Sequence, residues 1–188
     1  MEPKSLGRRF LSQSPEATEA LGEDLGKRLV PGAVLALDGD LGAGKTALIR
    51  GLARGLGVLD QVSSPTFTLM IEHEGRLPLF HFDAWMAGRE ALFLEGGGAD
   101  YLGSEGVCAI EWAERIERYL PSTRLAIRMS HQSMEERQIE CQVLVSAGED
   151  SELSRALQGA LAGVACGAGL SELSQAPGEP SGGPDVQA

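Results

Sequence analysis

The chain contains no asparagine, three lysines (Lys4, Lys27 and Lys45) and three cysteines in 188 residues, and each shortage excludes something. Cys108, Cys141 and Cys166 stand far apart with no C-x-x-C pair, which removes a zinc ribbon, a dithiol redox motif and a disulfide framework. They read as buried, reduced thiols of a cytosolic protein. Cationic residues are scarce: 16 Lys and Arg face 27 Asp and Glu, a net charge of −11, so a direct grip on a nucleic acid backbone is not expected. Any connection to RNA would be indirect. Nowhere do about 18 apolar residues run together, and the first residues lead into polar sequence rather than an apolar leader. The expectation is a cytoplasmic protein without membrane contact. No stretch repeats at a period of about 20–50 residues, so a solenoid is not indicated.

At about 150 residues per domain, the length and the 43% hydrophobic content fit one core, assigned to residues 1–150. Ser14-Pro15-Glu16 supplies an N-cap and a first-turn proline, and Ala17, Leu21, Leu25 and Leu29 follow at helical spacing, predicting an amphipathic helix stopped by Pro31-Gly32. The apolar run 33–37 reads as a buried strand that enters a glycine-rich turn and a second helix from near Lys45. Residues 66–73 and 77–83 predict two strands joined by Glu74-Gly75-Arg76. A short helix at 88–94, a strand at 107–111, a helix at 113–120 ended by Pro121, and strands at 124–129 and 138–145 complete the pattern. Ile139, Cys141, Val143 and Val145 would share one face of the last strand. This alternation predicts an α/β fold with a largely parallel, mixed sheet. After residue 150 the composition turns to Gly, Ala, Ser and Pro, with no aromatic beyond Tyr119. Residues 154–161 could add a helix, and from about Gly167 the chain is expected to be disordered.

Gly39-Asp40-Leu41-Gly42-Ala43-Gly44-Lys45-Thr46 satisfies G-x-x-x-x-G-K-[ST] between a predicted strand and a predicted helix. Glycines let successive backbone N–H groups converge on phosphate oxygens, and the helix start adds its positive dipole end. Lys45 would reach the β- and γ-phosphates and Thr46 would ligate Mg²⁺. Such a loop needs an acidic partner at the end of a neighbouring strand, and both Asp83 and Glu111 end apolar runs. The missing asparagine sharply weakens the reading as a GTPase of the N-K-x-D type. Asp100-Tyr101-Leu102-Gly103 fits D-x-x-G but reads as a surface turn, and Arg115, Arg118, Arg124, Arg128 and Arg137 read as solvated faces rather than a kinase lid. His73, His81 and His131 lack ligand spacing and read as structural or surface groups.

Together GDLGAGKT (39–46), SPTFTL (64–69), His81-Phe82-Asp83, Asp100-Tyr101 and Ile110-Glu111-Trp112 with Glu114-Arg115 resemble one family, the TsaE (YjeE) P-loop ATPases of tRNA threonylcarbamoyladenosine biosynthesis. The resemblance spans most of residues 14–145. It implies a P-loop NTPase-like three-layer domain that binds Mg²⁺ and ATP and works with TsaD and TsaB, which transfer threonylcarbamoyl to the adenosine beside the anticodon. tRNA would be met only through those partners. It implies that Leu41, Gly42, Ala43, Gly44, Lys45 and Thr46 cradle the nucleotide, that Thr46 and Glu111 hold the metal, and that Asp83 is an essential switch acid that orients water. Thr66 would be a switch element near the γ-phosphate and Trp112 an aromatic packed beside the site. Position counting, without a motif match, places adenine contacts near Gln13 and Met134. The chain departs from the family's HFDLYRL and IEWPER in reading HFDAWM and IEWAER, which bears on the partner surface and loop shape. Low intrinsic, partner-stimulated hydrolysis is the expectation; a small-metabolite kinase and a nucleotide-dependent binding switch are the alternatives.

Overall fold

Val34, Leu35, Ala36 and Leu37 are all buried, because the strand they begin, β2 (Val34–Gly39), is covered on both faces. In the computed structural model, which describes residues 6–86, 88–146 and 151–173, seven further strands join it. These are β1 (Gly7–Ser12), β3 (Met70–His73), β4 (Leu79–Asp83), β5 (Val107–Glu111), β6 (Arg124–His131), β7 (Arg137–Leu144) and β8 (Leu170–Leu173). They form one sheet in the order β3-β4-β5-β2-β6-β7-β1-β8. The central strands β4, β5, β2 and β6 are parallel, and β3 on one side and β7, β1 and β8 on the other pair antiparallel. The fold is the α/β class with a mixed sheet whose centre is parallel.

Period-two alternation sends side chains to two separate cores. Leu35 and Leu37 of β2, Val107 and Ala109 of β5, and Leu125, Ile127 and Met129 of β6 pack with α1 (Pro15–Gly26) and α2 (Lys45–Gly55). Val34, Ala36, Phe80, Phe82, Cys108 and Ile110 pack on the opposite face against α3 (Arg89–Glu95) and the 3₁₀ segment Ala113–Tyr119. Ser14 caps α1 by accepting from the Ala17 N–H at 3.2 Å, with Pro15 at the first helical position. α1 and α2 approach closely through glycine: a Cβ on Gly22 would lie 2.1 Å from the Leu48 carbonyl, and one on Gly51 1.9 Å from that of Glu19. The tight pair fixes the start of α2 above the ends of β2 and β5.

Several expectations change. Of residues 66–73 only Met70–His73 is strand; Thr68 and Leu69 donate their N–H groups to the Pro65 carbonyl, turning the preceding segment. The segment after Trp112 is 3₁₀ and interrupted at Ile116 rather than α-helical. β1 emerges from Gly7-Arg8-Arg9-Phe10-Leu11-Ser12, a stretch with no strand signal, because β7 and β8 pair with it from both sides. The expected disorder from Gly167 is contradicted by β8, whose Leu170 is buried with Leu157, Ala160, Leu161 and Val164 in the α1–α2 core. The break at residue 150 therefore does not bound the core: α4 (Glu152–Ala162), capped by Ser151, belongs to it. The rest of the expected disordered tail, 174–188, lies outside the described residues. Cys108 and Cys141 are buried, with burial pushing each thiol up to about 12, whereas Cys166 is exposed; all three are free.

Candidate nucleotide-binding site

β2, β4 and β5 run in one direction, so their C-terminal ends meet at one edge of the sheet, where open α/β sheets hold their ligands. The loop leaving β2 turns into α2 through Gly44, whose φ of +102° is the left-handed conformation that glycine adopts freely. α2 thus presents its unpaired N–H groups beside the loop. A cleft of about 810 Å³ opens there, lined by Leu41, Gly42, Ala43, Gly44, Lys45 and Thr46, by Thr66, Asp83, Glu111 and Trp112, and by Gln13 and Met134. Every residue that the sequence singled out for nucleotide, metal or catalysis borders this one space.

Lys45 is only 4% exposed. Its ammonium donates to the Gly39 carbonyl and, at 2.9 Å, to that of Asp40, and it lies 3.6 Å from the centroid of the Trp112 ring. Burial pushes its pKa below the usual lysine value, opposed by the charges of Glu111, Glu114, Asp83 and Asp40. Trp112 holds this place from a strained backbone: its φ of 59° is left-handed, which costs a non-glycine residue about 1 kcal/mol or more. The Glu114 N–H donates to Asp38 Oδ1 at 3.0 Å and anchors the turn that follows. Trp85 packs tilted against Trp112, ring centroids 4.5 Å apart, and Arg115 lies over Trp85 at 4.6 Å.

The two acids occupy different settings. The Thr46 hydroxyl is shared between both oxygens of Glu111, at 2.9 and 3.0 Å. Asp83 Oδ2 accepts from Ser64 at 2.5 Å and Thr66 at 2.6 Å, while its Oδ1 accepts the Trp85 N–H at 2.9 Å. Asp83 therefore gathers the SPTFTL turn, and its own N–H donates to Leu69, a second left-handed non-glycine residue. Among the described residues no three His, Cys, Asp or Glu side chains gather as metal ligands. The Thr46–Glu111 pair suits a cation that takes its remaining ligands from phosphates and water.

Sequence reasoning missed four contributors. Ser64 and Trp85 flank Asp83 in space. Arg137, read as a solvated face, lines the cleft and donates to the carbonyls of Ser133, Met134 and Glu136 under the β6–β7 turn. His81 is wholly buried against Glu111, and its position two residues before Asp83 on the same strand face was the available signal. The D-x-x-G match is outside the site: Tyr101 packs on Phe80 at 4.8 Å in the second core.

A family model described as threonylcarbamoyl adenosine biosynthesis protein TsaE matches residues 12–139. The chain belongs to the TsaE family. It is 43% identical over 132 residues to the tRNA threonylcarbamoyladenosine biosynthesis protein TsaE of Bacillus subtilis, covering 70% of this chain and 82% of that relative. The Treponema pallidum protein of the same name is 39% identical over 121 residues, 64% of this chain and 90% of its own. The crystal structure of Bacillus subtilis YdiB superimposes with a TM-score of 0.66 at 34% identity, covering 86% of this chain and 97% of that one. The match to the family model ends inside β7, so α4 and β8 lie beyond that model.

Proposed function

We propose that this TsaE-family chain binds ATP with Mg²⁺ and hydrolyses it to support threonylcarbamoyl transfer to the adenosine beside the tRNA anticodon by TsaB and TsaD. The observation that carries the reading is the convergence of the Lys45 loop, the Thr46–Glu111 pair and Asp83 in one cleft. The loop N–H groups and Lys45 bind the phosphates, Lys45 exchanging its present carbonyl partners for phosphate oxygens. Thr46 and Glu111 are the residues that would hold Mg²⁺, which when bound draws charge from the phosphate oxygens. Asp83, fixed by Ser64 and Thr66, orients the water whose oxygen bonds to the γ-phosphorus as the bond to the β,γ-bridging oxygen breaks. Gln13 and Met134 form the wall offered to the adenine.

Hydrolysis by the chain alone is slow in this reading. Arg50 and Arg137 line the cleft, but Arg50 is engaged by Glu19 at 3.0 Å and Arg137 by the hairpin carbonyls, so neither is free to neutralise transition-state charge. Leu41 and Met134 at the mouth are 79% and 95% exposed, apolar surface that a partner would cover. The net charge of −11 suits a subunit that leaves tRNA to its partners in the cytoplasm. No helix among the described residues is long and apolar enough to cross a membrane. The test is release of inorganic phosphate from Mg²⁺·ATP with and without TsaB and TsaD. Stimulation by the partners supports the reading; release that they fail to accelerate counts against it.

A further inference from the structure

His81 stands in the middle of β4 with none of its surface exposed. It shares a strand face with Asp83, toward the loop and α2, because residues two apart on a strand point the same way. β4 and β5 are parallel, with Asp83 opposite Glu111 and His81 opposite Ala109. The imidazole reaches along the strands to place Nε2 2.9 Å from Glu111 Oε1. A carboxylate offers only acceptors, so Nε2 carries the hydrogen and donates it. Among the described residues Nδ1 has no hydrogen-bond partner, and a wholly buried unpaired nitrogen destabilises a fold that an apolar side chain would serve better. The His73 ring lies 6.5 Å away between centroids and does not satisfy it.

We infer that His81 is a positioning residue for the cation site: by occupying Oε1 of Glu111 it fixes the carboxylate plane and directs Oε2 toward the metal that Thr46 and Glu111 hold. The inference rests on the proposed Mg²⁺·ATP reading. Thr46 touches both oxygens of Glu111 and so cannot choose between them. His81 touches one, and rotating the carboxylate would break a buried bond. Outer partners of this kind orient metal-binding groups, and their loss weakens metal affinity about 10–100-fold.

The test measures ATP binding by calorimetry on the full chain across a series of Mg²⁺ concentrations, for the wild type, His81→Leu and His81→Gln. Leucine fills the space without a donor; the glutamine amide can return an N–H near the position of Nε2. In His81→Leu the Mg²⁺ concentration that half-maximally tightens ATP binding should rise about 10-fold or more, with metal-free ATP affinity unchanged. His81→Gln should recover most of the loss. A leucine variant with the wild-type Mg²⁺ response overturns the inference, and so do equal shifts in both variants. An independent readout needs no variant: the imidazole ¹⁵N spectrum of the wild type with Mg²⁺ and ADP should show a proton on Nε2, and an Nε2 that carries none overturns the inference. A wild type whose ATP affinity ignores Mg²⁺ removes the metal reading and this inference together, whereas a responsive wild type matched by the leucine variant overturns only the role of His81.

Discussion

β4, β5 and β2 have cores on both faces, whereas β6, β7, β1 and β8 bury one face and leave residues such as Arg128 and Gln142 on the other. In the parallel half, all C-terminal ends lie on one edge, and each end delivers a group to the candidate site: the Lys45 loop from β2, Asp83 from β4, Glu111 from β5. In the antiparallel half, strand directions alternate, and the same edge receives a hairpin turn and a strand end, with Met134 from the first and Gln13 from the second. Under the proposed function, this difference gives the chemistry to one half and a wall to the other. The wall is held from behind. Gln13 donates its N–H to the Gly169 carbonyl at 2.8 Å, and Arg8 clasps α4 and β8 by donating to the carbonyls of Leu161 and Val164 and to both oxygens of Glu172.

The sharpest test of that division is Lys45→Ala. Removing one preorganised cation or donor from a reacting phosphate costs about 100–1,000-fold in rate, so phosphate release should fall by that factor while the melting curve stays close to the wild type's. Retained activity would break the assignment of chemistry to the parallel half. Next is Leu157→Ala in α4, where a wholly buried side chain leaves a cavity. The expected loss is about 2–4 kcal/mol, a drop in melting temperature of about 5–15 °C, with turnover measured well below the transition unchanged. An unmoved melting curve would mean that the arm is not part of the folding unit. Arg8→Met is milder, at about 1–2 kcal/mol. Releasing the clasp should also raise KM for ATP through Gln13 without changing kcat, and a fall in kcat alone would show that the wall takes part in the chemistry.

The same boundary separates what the sequence disclosed from what it did not. β2 and β5 are short apolar runs that end in the loop or acid of the candidate site, so hydrophobic pattern and motif agree residue by residue. β1 and β8 carry no such pattern: Phe10 is the only wholly buried apolar side chain of β1, and β8 is Leu-Ser-Glu-Leu, with Leu170 alone buried. Their strand state comes from mutual pairing, which local propensity does not encode. Within the site the failures have a different cause. The threonines of SPTFTL suit a strand, but the turn at Pro65 instead brings Ser64 and Thr66 to Asp83. Arg137 looked solvated because what it serves, the carbonyls of a hairpin, is invisible until the hairpin forms.

The smallest expected effect probes the seam between the two regions. Asp24 of α1 accepts the Ala165 N–H at 2.9 Å through Oδ2 and pairs with Arg28 through Oδ1, so one carboxylate ties the helix beside the Lys45 loop to the C-terminal arm. Burial alone would raise its pKa, but the Ala165 N–H and the Arg28 guanidinium outweigh that and hold the carboxyl below the ordinary aspartate value. A lowered folded value means that the unfolded chain binds the proton more readily. The contribution is therefore complete above the unfolded pKa of about 3.9 and is lost as pH falls through the folded value. Solvent screens the pair, so Asp24→Asn should cost only about 0.5 kcal/mol near neutral pH, and urea unfolding curves of the two proteins should converge below about pH 4. If the gap instead widened in acid, Asp24 would be stabilising in its protonated form, and the arm would be joined to α1 by packing through Leu157 and Leu161 rather than by charge.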